Sequence, residues 1–83
     1  MGTKLKRLGV KPGVFDLFFA RPNKKFHGLW IEMKRKKGAF ISTHQATWRH
    51  LMESQGYVAK YAYGFDEARQ IILDYIDNKL ELS

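Results

Sequence analysis

Three side chains in this sequence have the types and spacing to do chemistry: Asp16, and the Glu32 and Lys34 of an Ile-Glu-Met-Lys run. Residues 1–50 contain twelve Lys or Arg and only these two acids. Both carboxylates fall inside apolar, strand-like segments, where an uncompensated charge is costly. Two carboxylates about 4 Å apart repel by roughly 4 kcal/mol at an effective dielectric near 20, so gathering them is useful only around a cation. Hard oxygen donors, completed by water and a substrate phosphate, suit Mg²⁺ or Mn²⁺. Such an ion polarises a phosphodiester and lowers the pKa of water. A lysine alongside can orient or deprotonate the attacking water and stabilise charge on the phosphate. The same residues also fit a plainer arrangement, with Glu32 and Lys34 paired on a solvent-facing strand and Asp16 in a cross-strand salt bridge. Taken alone, Glu-x-Lys on a strand usually means that.

The elements that would position these groups follow from patterning. Val14–Ala20 and His27–Lys34 are rich in aromatic and β-branched residues, and the Arg21–Phe26 segment between them contains Pro-Asn, so they read as two antiparallel strands joined by a loop. Alternation puts Trp30, Glu32 and Lys34 on one face and Leu29, Ile31 and Met33 on the other, with Glu32 and Lys34 about 7 Å apart. The hairpin then carries Asp16, expected at the centre of its strand, opposite that pair. Residues 1–12 lack a long amphipathic pattern and read as loop or one short turn of helix.

Ser42-Thr43-His44-Gln45 has capping-box spacing and opens a helix from Thr43 to about Gln55, with Trp48, Leu51 and Met52 on one face and Gly56 at its end. Gln45 is accounted for by the cap alone, or by an amide that also reaches the catalytic strands. Trp48 reads as core rather than as a base-stacking platform. Tyr57–Tyr63 forms a third strand. Gly64-Phe65-Asp66-Glu67 opens a last helix whose buried stripe is Ala68, Ile71, Ile72, Tyr75, Ile76 and Leu80. His27, His44 and His50 lack metal-ligand spacing and read as surface or phosphate-contacting residues. The expected order is β-β-α-β-α, and the crossover helix makes the last two strands parallel in a mixed sheet.

Composition bounds the partners. Eighty-three residues make one small domain, and the chain has no cysteine, which fits a reducing compartment. No run of about 18 apolar residues and no signal-like segment is present, so a soluble, cytoplasmic protein without a membrane role is expected. The net charge of +7 is uneven: residues 1–50 carry +10 and residues 51–83 carry −3. That asymmetry suits a polyanion on the basic part. Lys4, Lys6, Arg7, Lys11, Lys24, Lys25, Arg35, Lys36 and Lys37 are the candidate nucleic-acid contacts.

The ordered combination Gly9-Val-Lys-Pro-Gly13-Val-Phe-Asp16-Leu, Ile31-Glu32-Met-Lys34, Gly38, Ser42-x-x-Gln45, Leu51, Gly56-Tyr-Val and Asp66-Glu67-Ala68 resembles the stand-alone VRR-NUC family, the virus-type replication-repair nucleases. The resemblance runs from about Leu8 to Ile76. That family belongs to the PD-(D/E)xK nucleases, so the resemblance implies an α/β fold with a restriction-endonuclease-like core. It further implies Asp16 and Glu32 as metal ligands, the Met33 carbonyl as a backbone ligand, Lys34 as the catalytic lysine and Gln45 as a supporting active-site residue. Small phage and bacterial members look like dimeric nucleases acting on branched DNA such as four-way junctions. Two departures stand out: Phe15 replaces the Pro of the family motif, and only thirteen residues, none acidic, precede Val14, where the family usually has a helix with an acidic active-site residue. That helix is therefore expected to be short or absent.

The expectation is a Mg²⁺- or Mn²⁺-dependent endonuclease for branched or double-stranded DNA, working as a homodimer in a bacterial or phage-infected cell. The alternative is a non-catalytic basic nucleic-acid-binding module or an inactive, truncated nuclease domain. Two carboxylates in the most basic region speak against a bare binding module, because without a metal they would repel phosphates. The dimer surface is expected to combine Phe18, Phe19 and Phe26 with part of the helix bearing Trp48.

Overall fold

A computed structural model describes residues 5–7, 13–35 and 40–82, with backbone alone for the first three. The elements in chain order are β1 (Leu5–Arg7), β2 (Leu17–Phe19), β3 (Leu29–Lys34), α1 (Thr43–Ser54), β4 (Val58–Tyr63) and α2 (Phe65–Ile76). They form one mixed sheet in the order β1-β2-β3-β4. β2 pairs antiparallel with both β1 and β3, and β3 pairs in parallel with β4 across the α1 crossover.

The α/β mixed sheet is as expected, but three details differ from the sequence reading. The segment read as loop or helical turn contains a strand, β1, whose Lys6 stands opposite Phe18. Three residues are too few to show a period, and the free edge of β2 supplies the hydrogen bonds that hold them. The element order is therefore β-β-β-α-β-α. The hairpin strands are also shorter than expected, and Asp16 lies in a bend just before β2 rather than at a strand centre.

Helix ends follow from local chemistry. Ser42 is extended (φ −71°, ψ 155°) and its Oγ accepts from the Gln45 backbone N–H at 3.1 Å, so α1 starts there. Gly56, at φ +92°, turns the chain from α1 into β4, and a Cβ there would lie 2.4 Å from the His27 ring. The Tyr63 N–H donates to Glu67 Oε1 at 3.0 Å, tying the end of β4 to the first turn of α2. Asn78 ends α2 in the left-handed region (φ 62°), with Asn78 N donating to the Tyr75 carbonyl and Lys79 N to the Asp74 carbonyl. That pair of bonds is a Schellman motif.

Each face of the sheet buries its own cluster. Phe19, Leu29, Ile31, Val58 and Ala62 pack under α2 with Ala68 and Tyr75. Phe15, Trp30 and Ala59 pack under α1 with Trp48 and Met52. Phe15 is fully buried, its ring 5.2 Å from Trp48 and 5.1 Å from Tyr61. The residue standing where the family has Pro is thus a core anchor joining β2, α1 and β4. Trp48 is a packing residue, set edge-on to Trp30 at 4.6 Å.

Two residues placed on buried faces are instead exposed. Leu51 is 51% exposed, and Ile76 sits at the open edge of α2. The expected dimer aromatics are also corrected: Phe19 is only 9% exposed, Phe18 stacks on Trp30 at 4.3 Å, and Phe26 packs against the α2-side core. A two-helix cover takes the hairpin's aromatics into the chain's own core. Among the described residues, the large exposed apolar side chains are instead Phe40, Ile41, Leu51, Phe65, Leu73, Ile76 and Leu82.

Candidate active site

Where the antiparallel ladder of β2 and β3 ends, the two acids are crossed over each other's backbone. The Asp16 N–H donates to Glu32 Oε1 at 3.1 Å, and the Met33 N–H donates to Asp16 Oδ2 at 3.1 Å. The N–H and C=O of a strand residue leave on the same side. The Met33 carbonyl therefore also faces Asp16, and β2 is not continued there to claim it. Asp16 and Glu32 thus meet at one corner of the sheet, with the Met33 carbonyl on the same edge of β3.

Lys34 and Gln45 close that corner. Lys34 Nζ donates to Gln45 Oε1 at 2.9 Å and to the Phe40 carbonyl at 3.0 Å. Gln45 Nε2 donates to Glu32 Oε2 at 2.7 Å. One amide thus bridges the lysine and the glutamate, its oxygen toward the cation and its nitrogen toward the anion. Only half of the expected capping box forms, because the Gln45 side chain is spent on this bridge instead of returning to Ser42. The Tyr61 ring lies 5.9 Å from Lys34 Nζ, so the ammonium is held by two carbonyl oxygens and an aromatic face, all neutral.

Among the described residues, Glu32 is the one charged residue in the core, at 7% exposure. Burial, followed by the Asp16 charge, pushes its carboxyl above the ordinary value, while Lys34 and the bonds from the Asp16 N–H and Gln45 pull it back. A buried carboxylate held beside another is a site that favours a cation. Among the described residues no group of three or more His, Cys, Asp and Glu gathers in metal-binding geometry. Two carboxylates and one carbonyl make an all-oxygen donor set, which fits Mg²⁺ or Mn²⁺ with the remaining positions left to water and phosphate.

The basic residues are dispersed. Arg35 follows β3 at the site end and is exposed. Lys24 and Lys25 lie on the β2–β3 loop at the opposite end of the hairpin. There Lys24 N donates to Asn78 Oδ1, and Lys25 pairs with Glu81. The structure does not bring these two to the acids. Lys6 and Arg7 lie on β1, while Lys4, Lys11, Lys36 and Lys37 fall outside the described residues. The three histidines are all exposed.

Sequence reasoning did not single out Tyr61 or Arg49. Tyr61 stands directly beside Glu32 in the parallel register, which only the crossover geometry determines. Arg49 lies four residues after Gln45 on α1, a spacing that was legible, with its guanidinium 5.3 Å from the Tyr61 ring.

No family model and no curated protein matches the sequence. The fold does have a solved counterpart, a structure described as a VRR_NUC domain protein, with TM-score 0.77 and 29% identity over 90% of this chain. The chain spans 61% of that protein's length. The sheet, its two covering helices and the corner formed by Asp16, Glu32 and Lys34 define a nuclease-like α/β domain. Within that class, the likeness to the VRR_NUC domain protein supports a VRR-NUC domain.

Proposed function

We propose that this chain is a Mg²⁺- or Mn²⁺-dependent, structure-selective endonuclease that cuts phosphodiester bonds in branched DNA. The observation that carries the proposal is the bridge from Lys34 through Gln45 to Glu32, beside Asp16. It is an elaborate construction for a surface salt bridge, but it suits a site that must hold a cation and a lysine in fixed register. Asp16, Glu32 and the Met33 carbonyl would hold the ion, which when bound supplies Lewis-acid polarisation of the phosphodiester. Lys34, held by the Gln45 and Phe40 carbonyl oxygens, orients the attacking water and stabilises charge building on the phosphate oxygens. Gln45 fixes the lysine's approach, and the buried wall of Phe15, Trp30 and Trp48 keeps this end of the sheet rigid.

A homodimer suits the substrate. A four-way junction is two-fold symmetric, and an isologous pair presents two equivalent sites. The exposed Phe65, Leu73 and Ile76 on α2 give such a dimer apolar surface to cover.

The test is incubation of the purified chain with a labelled four-way junction and with a linear duplex of the same sequence, each with and without Mg²⁺. Metal-dependent cutting of the junction in preference to the duplex is expected. Binding of both without cutting under any divalent metal would instead mark a nucleic-acid-binding module.

A further inference from the structure

We infer that the exposed Phe40 ring is a stacking platform for a base left unstacked at a branch point, next to the phosphodiester being cut, and that this contact favours branched DNA over continuous duplex. The inference rests on the nuclease reading and adds to it a residue that reads DNA structure rather than phosphate.

Phe40 is 81% exposed, the most open of the large apolar side chains among the described residues, and Ile41 beside it is 40% exposed. Single apolar side chains on a surface are ordinary, but this one is pinned to the site. Its backbone carbonyl accepts from Lys34 Nζ at 3.0 Å, and two residues further on Ser42 caps α1. The chain at Phe40 is thus tied to Lys34 on one side and to a helix start on the other. With bond lengths fixed, the ring lies no more than about 10 Å from Lys34 Nζ. Bases attached to a phosphodiester engaged by Lys34 fall within that reach.

Charge decides what such a ring meets. The exposed Phe65, Leu73 and Ile76 of α2 each adjoin an aspartate in the sequence, Asp66, Asp74 and Asp77, which suits a protein partner. Around Phe40 the signs reverse. Arg35-Lys36-Lys37 precedes it in the sequence, Arg35 is exposed, and the first turn of α1 after it carries no acid. The two acids of residues 1–50, Asp16 and Glu32, are engaged at the corner with backbone N–H groups and with Gln45. An aromatic ring in cationic surroundings is the combination that holds single-stranded nucleic acid, the cations tracking the backbone and the ring taking a base face.

Structure selectivity follows from the cost of exposing that base face. Inside a continuous duplex a base must be unstacked before the ring can take it, and the opening consumes what one ring returns. At a branch point stacking is already interrupted, so the contact forms without that cost.

Metal-free binding of a four-way junction and of a linear duplex with the same arm ends is measured across a salt series for the wild type, Phe40→Ala, Phe40→Leu and Phe40→Trp. Phe40→Ala is expected to lower the ratio of junction to duplex affinity about 5- to 150-fold, the range for one lost base–aromatic stack. The salt slope is expected to stay unchanged, because no charge is removed. Phe40→Leu, which keeps apolar bulk without a π-face, is expected to lose most of the ratio, and Phe40→Trp to keep it. Sedimentation and thermal melts accompany each variant, and a side chain this exposed predicts the wild-type Tm for all three.

Phe40→Ala with the wild-type ratio overturns the inference, as does a wild type with no preference for the junction. Phe40→Leu binding like the wild type also overturns it, since the contact would then need no ring. So does a loss of the ratio that comes with a changed oligomeric state, which would mark Phe40 as a subunit contact. A wild type that prefers junctions but cuts nothing under any divalent metal sinks the nuclease reading instead, while the affinity ratio still reports on Phe40.

Discussion

On the proposed function, Lys34 is the residue at which binding and chemistry are expected to separate. Its ammonium is one positive charge among fifteen Lys and Arg, so Lys34→Ala is expected to abolish cleavage while junction affinity changes little and the salt slope falls by about one. Cleavage assays and anisotropy on the same preparation check this, and parallel loss of both would make Lys34 an ordinary phosphate contact. Glu32 gives a prediction independent of activity. Its carboxyl is raised from the ordinary 4.5, so over the interval above that value the folded state binds more protons than the unfolded chain. Stability of the metal-free protein must then fall as pH rises through that interval. Glu32→Gln is expected to remove that slope and to melt higher than the wild type at neutral pH. Mg²⁺ should raise the Tm of the wild type by mass action and leave the variant's nearly unchanged. Thermal melts between pH 4 and 8, with and without Mg²⁺, decide both points. Asp16, Glu32 and Lys34 were legible in the sequence because two acids in a basic, apolar stretch demand a cation and a strand has a two-residue period. Gln45 was half legible, since its cap role gave a sufficient reason for its identity. Tyr61 was not, because its place beside Glu32 depends on a parallel register that no local pattern encodes.

At the scale of elements, the site depends on parts that touch no substrate. Phe15, fully buried between Trp48 and Tyr61, fixes the bend that carries Asp16. Phe15→Ala is expected to cost about 3–5 kcal/mol, read as a large drop in Tm or denaturation midpoint. Gly56→Ala tests the joint between α1 and β4. Its positive φ and the His27 ring 2.4 Å from the added Cβ both oppose the change, so a loss of more than about 1 kcal/mol is expected in denaturant titrations. Both helices and three strands were legible from caps, glycines and periodicity. The helix faces were less so, because Leu51 has helical spacing to Trp48 yet lies at the margin of the sheet α1 covers. β1 was invisible because three residues of Leu-Lys-Arg become a strand only through a neighbouring edge.

At the scale of the molecule, charge and apolar surface fall on different parts of the chain. Residues 51–83 carry the acidic excess, and α2 bears exposed Phe65, Leu73 and Ile76 near Asp66, Asp74 and Asp77. Such a face repels a phosphate backbone and suits protein contact. Light scattering at micromolar concentration is expected to give twice 9.7 kDa, with Phe65→Asp shifting the population to monomer without unfolding it. A stable monomer that still nicks junctions would count against the dimer. The sequence reading put the dimer surface on the hairpin aromatics Phe18, Phe19 and Phe26 with part of the Trp48 helix, because it could not tell which aromatics the two helices would cover first.

The lateral position of β4 has a consequence for how this protein fails. Among the described residues β4 is a terminal strand of the sheet, and a strand in that position invites fibrillar growth. Val58–Tyr63 reads Val-Ala-Lys-Tyr-Ala-Tyr, a six-residue stretch of high β-propensity whose one charge is Lys60. Lys60 Nζ donates to the Glu81 carbonyl at 2.7 Å, drawing the C-terminal segment toward this strand. The lysine is therefore expected to act as a gatekeeper. Lys60→Val is expected to leave the fold largely intact while shortening the lag before thioflavin-positive aggregates form on heating, and an unchanged lag would show that the strand is guarded by something else.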